Sequence, residues 1–257
     1  MRVDLIDYTG KGLDAWYTAR LLIWTKRTRV EMSAGSFEEL ETWPEEQLLQ
    51  ELCFMAATIP SSWEFADFTF LCSNVTRVFT HQLVRSRNMS FAQQTLQTQD
   101  ARGWKNYVGP TVRNNPRASV VWHETMDAIA KAYGKLIELG VDLEDARGIL
   151  PLNIENNIVV KGNLRSWCDL LRKRASPRNQ GAKPDRPGEW TMVRNEIKRQ
   201  MISVAPWTKI FLERDADNVA ADLYNILEKV EDKQLRIDIT KKIDQLMTNV
   251  ASEGGSS

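Results

Sequence analysis

Residues 65–99 read FADFTFLCSNVTRVFTHQLVRSRNMSFAQQTLQTQ. Phe68, Phe70 and Cys72 alternate with Asp67 and Thr69, so Phe65–Val75 reads as a strand with one buried face. From Val78 to Arg87 the pattern becomes helical and leads into the triplet Arg85–Ser86–Arg87. Asn88, Ser90, Gln93, Gln94, Thr95, Gln97 and Thr98 follow. Guanidinium groups are permanently charged and bind phosphates bidentately. Amides and hydroxyls read the edges of a base or ribose. Together these side chains suit a nucleotide; the competing reading is a polar helix end with surface arginines.

Upstream, residues 1–9 read as an edge strand, and Leu13–Trp24 and Pro44–Thr58 as helices. Between them lie a basic turn (Lys26, Arg27, Arg29) and a short helix from Ser36 to Trp43–Pro44. Downstream, Asp100–Pro116 is a basic loop and Ala118–Leu139 a helix with Gly140 at its C-cap. Leu143–Leu150 is a short helix stopped by Pro151, and Asn153–Val160 is strand-like or a turn. A helix carrying Arg165, Trp167 and Arg174 follows Gly162–Asn163, then a loop over Ser176–Gly188 and a helix over Glu189–Ala205. Ala216–Val250 is amphipathic and helical. The expected organisation is one domain over 1–250 with a disordered tail at 251–257. The fold class is α+β and predominantly helical, with mixed helices on a small antiparallel or mixed sheet, and not a doubly wound one.

The chain has 257 residues, with 34 Lys+Arg against 34 Asp+Glu. That balance argues against a broad nucleic-acid or membrane surface while allowing a local basic pocket. Three scattered cysteines (Cys53, Cys72, Cys168) and two histidines (His81, His123) outline neither a metal site nor a disulfide framework. No apolar run reaches the ~20 residues that span a bilayer. A soluble, cytoplasmic protein is expected. Nine tryptophans is a high count whose commoner use is core filling.

The order of the pieces resembles the flavin-dependent thymidylate synthases. Gln82, Arg85, Arg87, Ser90 and Phe91 match that family's first block, an arginine-histidine-arginine triplet with its flanks. Arg147, Leu150 and Pro151 match the second block, and Asn163, Arg165, Ser166 and Arg174 the third. Glu196 and Ile197 match the fourth, and Pro206 and Trp207 the last. The resemblance runs from about Leu22 to Phe211. The departures are specific: Ser86 replaces the triplet's histidine, and Ala92 and Gln93 replace an asparagine and a glutamate. Gln97–Thr98 replaces an arginine-tyrosine pair, and Asp169 an asparagine. Ser61 and Glu64 survive from an upstream stretch that has lost both its histidines, and the loop 175–190 is longer than the family's.

The resemblance implies a homotetramer with active sites shared between chains, FAD as cofactor, and methylenetetrahydrofolate and NADPH as cosubstrates. The reaction it implies is dUMP to dTMP. Arg85, Ser86, Arg87, Asn163 and Asp169 would face the flavin. Gln82, Gln93, Thr95, Gln97, Arg147 and Arg174 would face the pyrimidine deoxynucleotide monophosphate, with Arg147 and Arg174 as the catalytic donors. No metal and no cysteine nucleophile is implied, and Cys168 is read as structural. The rewritten positions open two alternatives: a dCMP methylase or hydroxymethylase, and a catalytically inactive nucleotide- or nucleic-acid-binding homologue.

Overall fold

The alternating segment is a ten-residue strand, Asp67–Thr76, inside a four-stranded antiparallel sheet. The computed structural model describes residues 1–30, 35–174, 182–183 and 186–213. The elements in chain order are β1 (Arg2–Tyr8), α1 (Tyr17–Val30), α2 (Glu45–Thr58), β2 (Asp67–Thr76), α3 (Arg77–Leu83), β3 (Ser90–Gln93) and α4 (Pro110–Arg113). There follow α5 (Pro116–Glu138), α6 (Leu143–Ala146), β4 (Glu155–Asn163), α7 (Leu164–Lys173), β5 (Ala182–Lys183), β6 (Arg186–Pro187), α8 (Glu189–Val204) and α9 (Lys209–Leu212). The fold is α+β with helix predominating. The Ala216–Val250 segment, the tail and most of the Ser176–Gly188 loop lie outside the described residues.

Sheet order is β1-β2-β4-β3, so the N-terminal strand lies on an edge as its sequence indicates. Phe68, Phe70 and Cys72 pair with Gly162, Val160 and Ile158 of β4, and all six are buried. This apolar face meets α7, whose Leu164, Trp167, Cys168 and Leu171 recur at helical spacing and are buried. Trp167 stacks edge-on against Phe70 at 5.1 Å between centroids, and its indole N–H donates to the Phe68 carbonyl at 3.2 Å. Gly162 makes this approach possible: a Cβ there would stand 2.6 Å from Met89 Cε and 3.5 Å from Trp167 Nε1. Val193, Ile197 and Met201 of α8 complete the layer with the buried Trp207 and Phe211.

Three local expectations are corrected. Lys26, Arg27 and Arg29 do not form a turn but belong to the last turns of α1. Lys26 pairs with Glu51 at 2.7 Å and Arg27 with Glu39 at 3.3 Å, so neighbouring acids carry the helix through the basic run. The helix expected over Val78–Arg87 stops at Leu83, which leaves the Arg85–Ser86–Arg87 triplet in the following turn. The polar run after it contains β3, which pairs with β4 from Ser90↔Lys161 to Gln93↔Ile158.

A second, smaller core gathers Ala101, Tyr133, Ala146 and Ile154. Tyr133 is the one fully buried residue of the 23-residue helix α5. Val120 and Val121 of that helix are 56% and 63% exposed.

Trp167→Ala removes the ring that joins α7 to β2, and is expected to cost about 3–5 kcal/mol of unfolding free energy. Chemical denaturation measures it, and a loss below ~1 kcal/mol would be incompatible with a ring so placed.

Candidate active site

The two helices that frame the site start at opposite ends of one strand pair. Thr76 ends β2 and caps α3, its hydroxyl accepting from Phe79 N at 3.0 Å. Asn163 ends β4 and caps α7, its side-chain oxygen accepting from Ser166 N at 2.9 Å. Because β2 and β4 are antiparallel, the C-terminal ends of the two helices come together. There the Arg174 guanidinium donates from Nη2 to the Gln82 backbone carbonyl at 2.9 Å and from Nη1 to its Oε1 at 3.3 Å.

The chain leaving α3 then runs back along α7. Ser86 N donates to the Leu83 carbonyl at 3.0 Å, and Ser166 Oγ donates to the Asn88 carbonyl at 3.2 Å. Between this turn and α7 lies a cavity of about 410 Å³, at the lower end of the ~300–1,000 Å³ of ligand sites. Arg85, Arg87, Lys173 and Arg174 line it against the single carboxylate of Asp169. Ser86 and Ser166 add hydroxyls, and Met89 and Leu170 add an apolar wall. Burial, and secondly the nearby charge of Arg85, pull the Arg174 pKa below its ordinary value. Arg174 Nε is buried without a partner. A cationic cavity with one apolar wall suits an anionic group bearing an aromatic ring.

Gln82, Arg85, Ser86, Arg87, Asp169 and Arg174 are thus brought together. Asn163 is not among the cavity-lining residues, and its side chain caps the helix that carries Asp169 and Arg174. The other expected residues form a second group. Gln93 Nε2 donates to Thr80 Oγ1 at 2.9 Å and to Asn156 Oδ1 at 3.1 Å. The Thr80 hydroxyl in turn donates to the Arg77 carbonyl at 3.2 Å, and Asn156 Nδ2 to the Val75 carbonyl at 3.0 Å. Thr95 Oγ1 accepts from Gln97 N at 3.0 Å. Gln97 Nε2 and Arg147 Nη2 both donate to Glu144 Oε1 at 3.1 Å. Arg77 joins this group: burial first, and then the charge of Arg147, lower its pKa.

Among the described residues no cluster of His, Cys, Asp or Glu is arranged to hold a metal ion, and no helix is long and apolar enough to cross a membrane. Burial pushes the thiols of Cys72 and Cys168 up to about 12, the state of packing residues and not of nucleophiles.

A family model described as thymidylate synthase complementing protein matches residues 4–207. The chain belongs to that family. It is 30% identical over 215 residues to the flavin-dependent thymidylate synthase of Pyrococcus furiosus, covering 82% of this chain and 85% of that protein. It is 30% identical over 217 residues to the enzyme of the same name from Thermococcus onnurineus, covering 82% and 84%. A shorter match, 35% over 119 residues, reaches 46% of this chain and 51% of the Geobacter sulfurreducens protein of that name.

In this member of the thymidylate synthase complementing family, two residues that hold elements framing the site were not legible from sequence. Trp190 places its ring 4.8 Å from the Arg174 guanidinium carbon. Glu189 accepts from Thr76 N at 2.7 Å and from Thr76 Oγ1 at 2.6 Å. Both open a helix after a long loop, where sequence marks only a helix start. Lys173 was the more recoverable omission, since it lies one helical turn from Asp169 and beside Arg174.

Gln93→Glu would set a carboxylate against the oxygens of Thr80 and Asn156. It is expected to cost about 1–3 kcal/mol, and more at pH 8 than at pH 5, because protonation restores one donor. Equal losses at both pH values in urea melts would rule out the donor assignment of Gln93.

Desolvation raises the Glu189 pKa above its ordinary value, outweighing the two Thr76 donors, with Glu155 adding a little in the same direction and the N-terminal amine opposing it. Cys72 and Tyr107 also feel this carboxyl. A carboxyl whose folded pKa is raised contributes stability that is complete below its unfolded value, ~4.3, and lost as pH rises through the folded value. The stability of the wild type relative to Glu189→Gln should therefore fall as pH rises from about 4.5 to 7.5. A difference that grows with pH would contradict the raised pKa.

Proposed function

We propose that this protein is a flavin-dependent thymidylate synthase that carries a one-carbon unit from methylenetetrahydrofolate to C5 of a pyrimidine deoxynucleotide monophosphate, with dUMP as substrate and dTMP as product. The observation that carries the reading is the meeting of Arg174 with Gln82 at the rim of a cavity bordered by Arg85, Ser86 and Arg87. Gln82 orients Arg174 through two oxygens while other donors of the guanidinium remain for a ligand. Those donors suit a phosphate or a pyrimidine carbonyl oxygen where negative charge develops in the transition state.

The cavity residues fit FAD in charge and character: Arg85, Arg87 and Lys173 for the diphosphate, Met89 and Leu170 for an aromatic ring, Ser86 and Asp169 for polar edges. When bound, reduced flavin supplies the hydride that takes the transferred carbon to a methyl, and NADPH restores it. The methylene carbon is bonded to C5, the C5 proton leaves to solvent, and tetrahydrofolate departs.

The second group of residues is read as the nucleotide side of a site completed by another copy of the chain. The largely unburied α5, with its exposed Val120 and Val121, favours a homotetramer with shared sites. Gln93 favours uracil over cytosine. With its amide nitrogen donating to Thr80 and Asn156, only its carbonyl remains, and an acceptor complements the N3–H of uracil.

With flavin reduced and methylenetetrahydrofolate present, dUMP is expected to give dTMP by mass spectrometry, and dCMP no product. Arg174→Ala is expected to lower kcat/KM by roughly 10²–10³, the scale of losing one preorganised charge-stabilising donor. Product from dCMP alone would make the protein a cytosine enzyme. Absence of bound flavin and of any product would replace the enzyme reading by the nucleotide-binding one.

A further inference from the structure

Helix α3 is gripped by three side chains, two that open α8 and one at the end of α7. Glu189 takes the backbone N–H and hydroxyl of Thr76, the cap residue of the helix. One turn further, Trp190 packs on Phe79 with ring centroids 4.2 Å apart. At the C-terminal end, Arg174 holds both oxygens of Gln82. The same Trp190 ring lies under the Arg174 guanidinium at 4.8 Å and is itself only 6% exposed. A guanidinium so enclosed is fixed in plane by Gln82 and in tilt by the indole face.

We propose that Glu189 and Trp190 are positioning residues: they clamp α3 and hold Arg174 in one orientation at the cavity. The proposal rests on the reading of Arg174 as a nucleotide-binding donor. It extends that reading to a pair of residues at the start of α8, beyond the blocks by which the chain resembles its family. An arginine has several rotatable bonds, and its long side chain would otherwise have to be ordered each time ligand binds. With the ring beneath it, that ordering is present before the nucleotide arrives. Fixing Thr76 keeps Phe79 and Gln82 in register with Trp190 and Arg174, so the two ends of the clamp act on the same seven-residue helix.

The test uses the full chain with its flavin, and two variants. Trp190→Leu keeps apolar bulk and removes the aromatic face; Trp190→Phe keeps a smaller face. Trp190→Leu is expected to raise the KM for dUMP about tenfold, the factor that corresponds to ~1.4 kcal/mol, and to lower kcat as well, because Arg174 is also read as a donor to the transition state. Trp190→Phe is expected to recover most of that loss, because a phenyl ring still attracts the cation. Independently of turnover, phenylglyoxal modification followed by peptide mass spectrometry should label Arg174 faster in Trp190→Leu, relative to Arg77 in the same molecule. An unchanged KM and unchanged Arg174 labelling, with only a lowered melting temperature, would overturn the clamp and leave Trp190 as core filling. If the wild type converts no dUMP, the functional reading fails, and the labelling ratio alone decides the clamp. Should Trp190→Leu not fold, Glu189→Ala carries the same labelling measurement, and an Arg174 as protected as in the wild type would overturn the proposal.

Discussion

The antiparallel pairing of β2 with β4 is the constraint on which the rest of the molecule depends. It aligns Phe68, Phe70 and Cys72 with Gly162, Val160 and Ile158, which makes one apolar face for α7 and α8 to cover. It also places the caps of α3 and α7, Thr76 and Asn163, at opposite ends of a single strand pair. The helices must then run back toward each other, and Gln82 in the last turn of α3 meets Arg174, the C-cap of α7. A one-residue slip of register would reverse the faces of β4 and put Ile158 and Val160 in solvent. The site is therefore specified by the same burial that specifies the sheet.

Four cations around one carboxylate would repel one another if they were free to move. The structure restrains the innermost of them by geometry instead of by an acid. Arg174 faces two neutral oxygens of Gln82 and the indole of Trp190, so its charge is not cancelled. An aspartate in place of Gln82 would hold the guanidinium more strongly but would neutralise the field that an anionic ligand must feel. Carbonyl oxygens orient without neutralising, and the depressed pKa of Arg174 is the signature of a charge kept under desolvation and repulsion. Arg147 is held differently: Glu144 meets it through both the backbone carbonyl and the carboxylate. The two expected catalytic arginines thus present unequal charge to a ligand.

Much of the architecture was legible because it rests on periodicity. The alternation in β2, the apolar spacing of α7 and the glycine after α5 are local signals, and each element formed close to its expected bounds. What was not legible rests on partners distant in sequence. β3 has four residues and becomes a strand only because β4 offers it an edge. The basic end of α1 looks like a turn until Glu39 and Glu51 are seen beside it. The triplet was visible as charge, while its place in the turn beyond α3 depends on the helix ending at Leu83. Glu189 and Trp190 carried only a helix-start signal, since their meaning lies in Thr76, Phe79 and Arg174.

The substitution at Gln93 is best understood through its neighbours. Viewed as an isolated change from a carboxylate, an amide at this position adds donors to a site and suggests a different base. In the fold those donors point inward, to a hydroxyl already donating to Arg77 and to an oxygen whose own amide is held by Val75. Both partners present an oxygen to Gln93, the Thr80 hydroxyl having committed its hydrogen to Arg77, so the network as arranged receives a donor there and a carboxylate would face oxygens. What remains of the Gln93 side chain is a carbonyl, an acceptor as a carboxylate is, without the charge. The glutamine suits Thr80 and Asn156 and keeps one acceptor oxygen, as an acid would. What changes is the electrostatic term: an amide in place of a carboxylate leaves one negative charge fewer at this position.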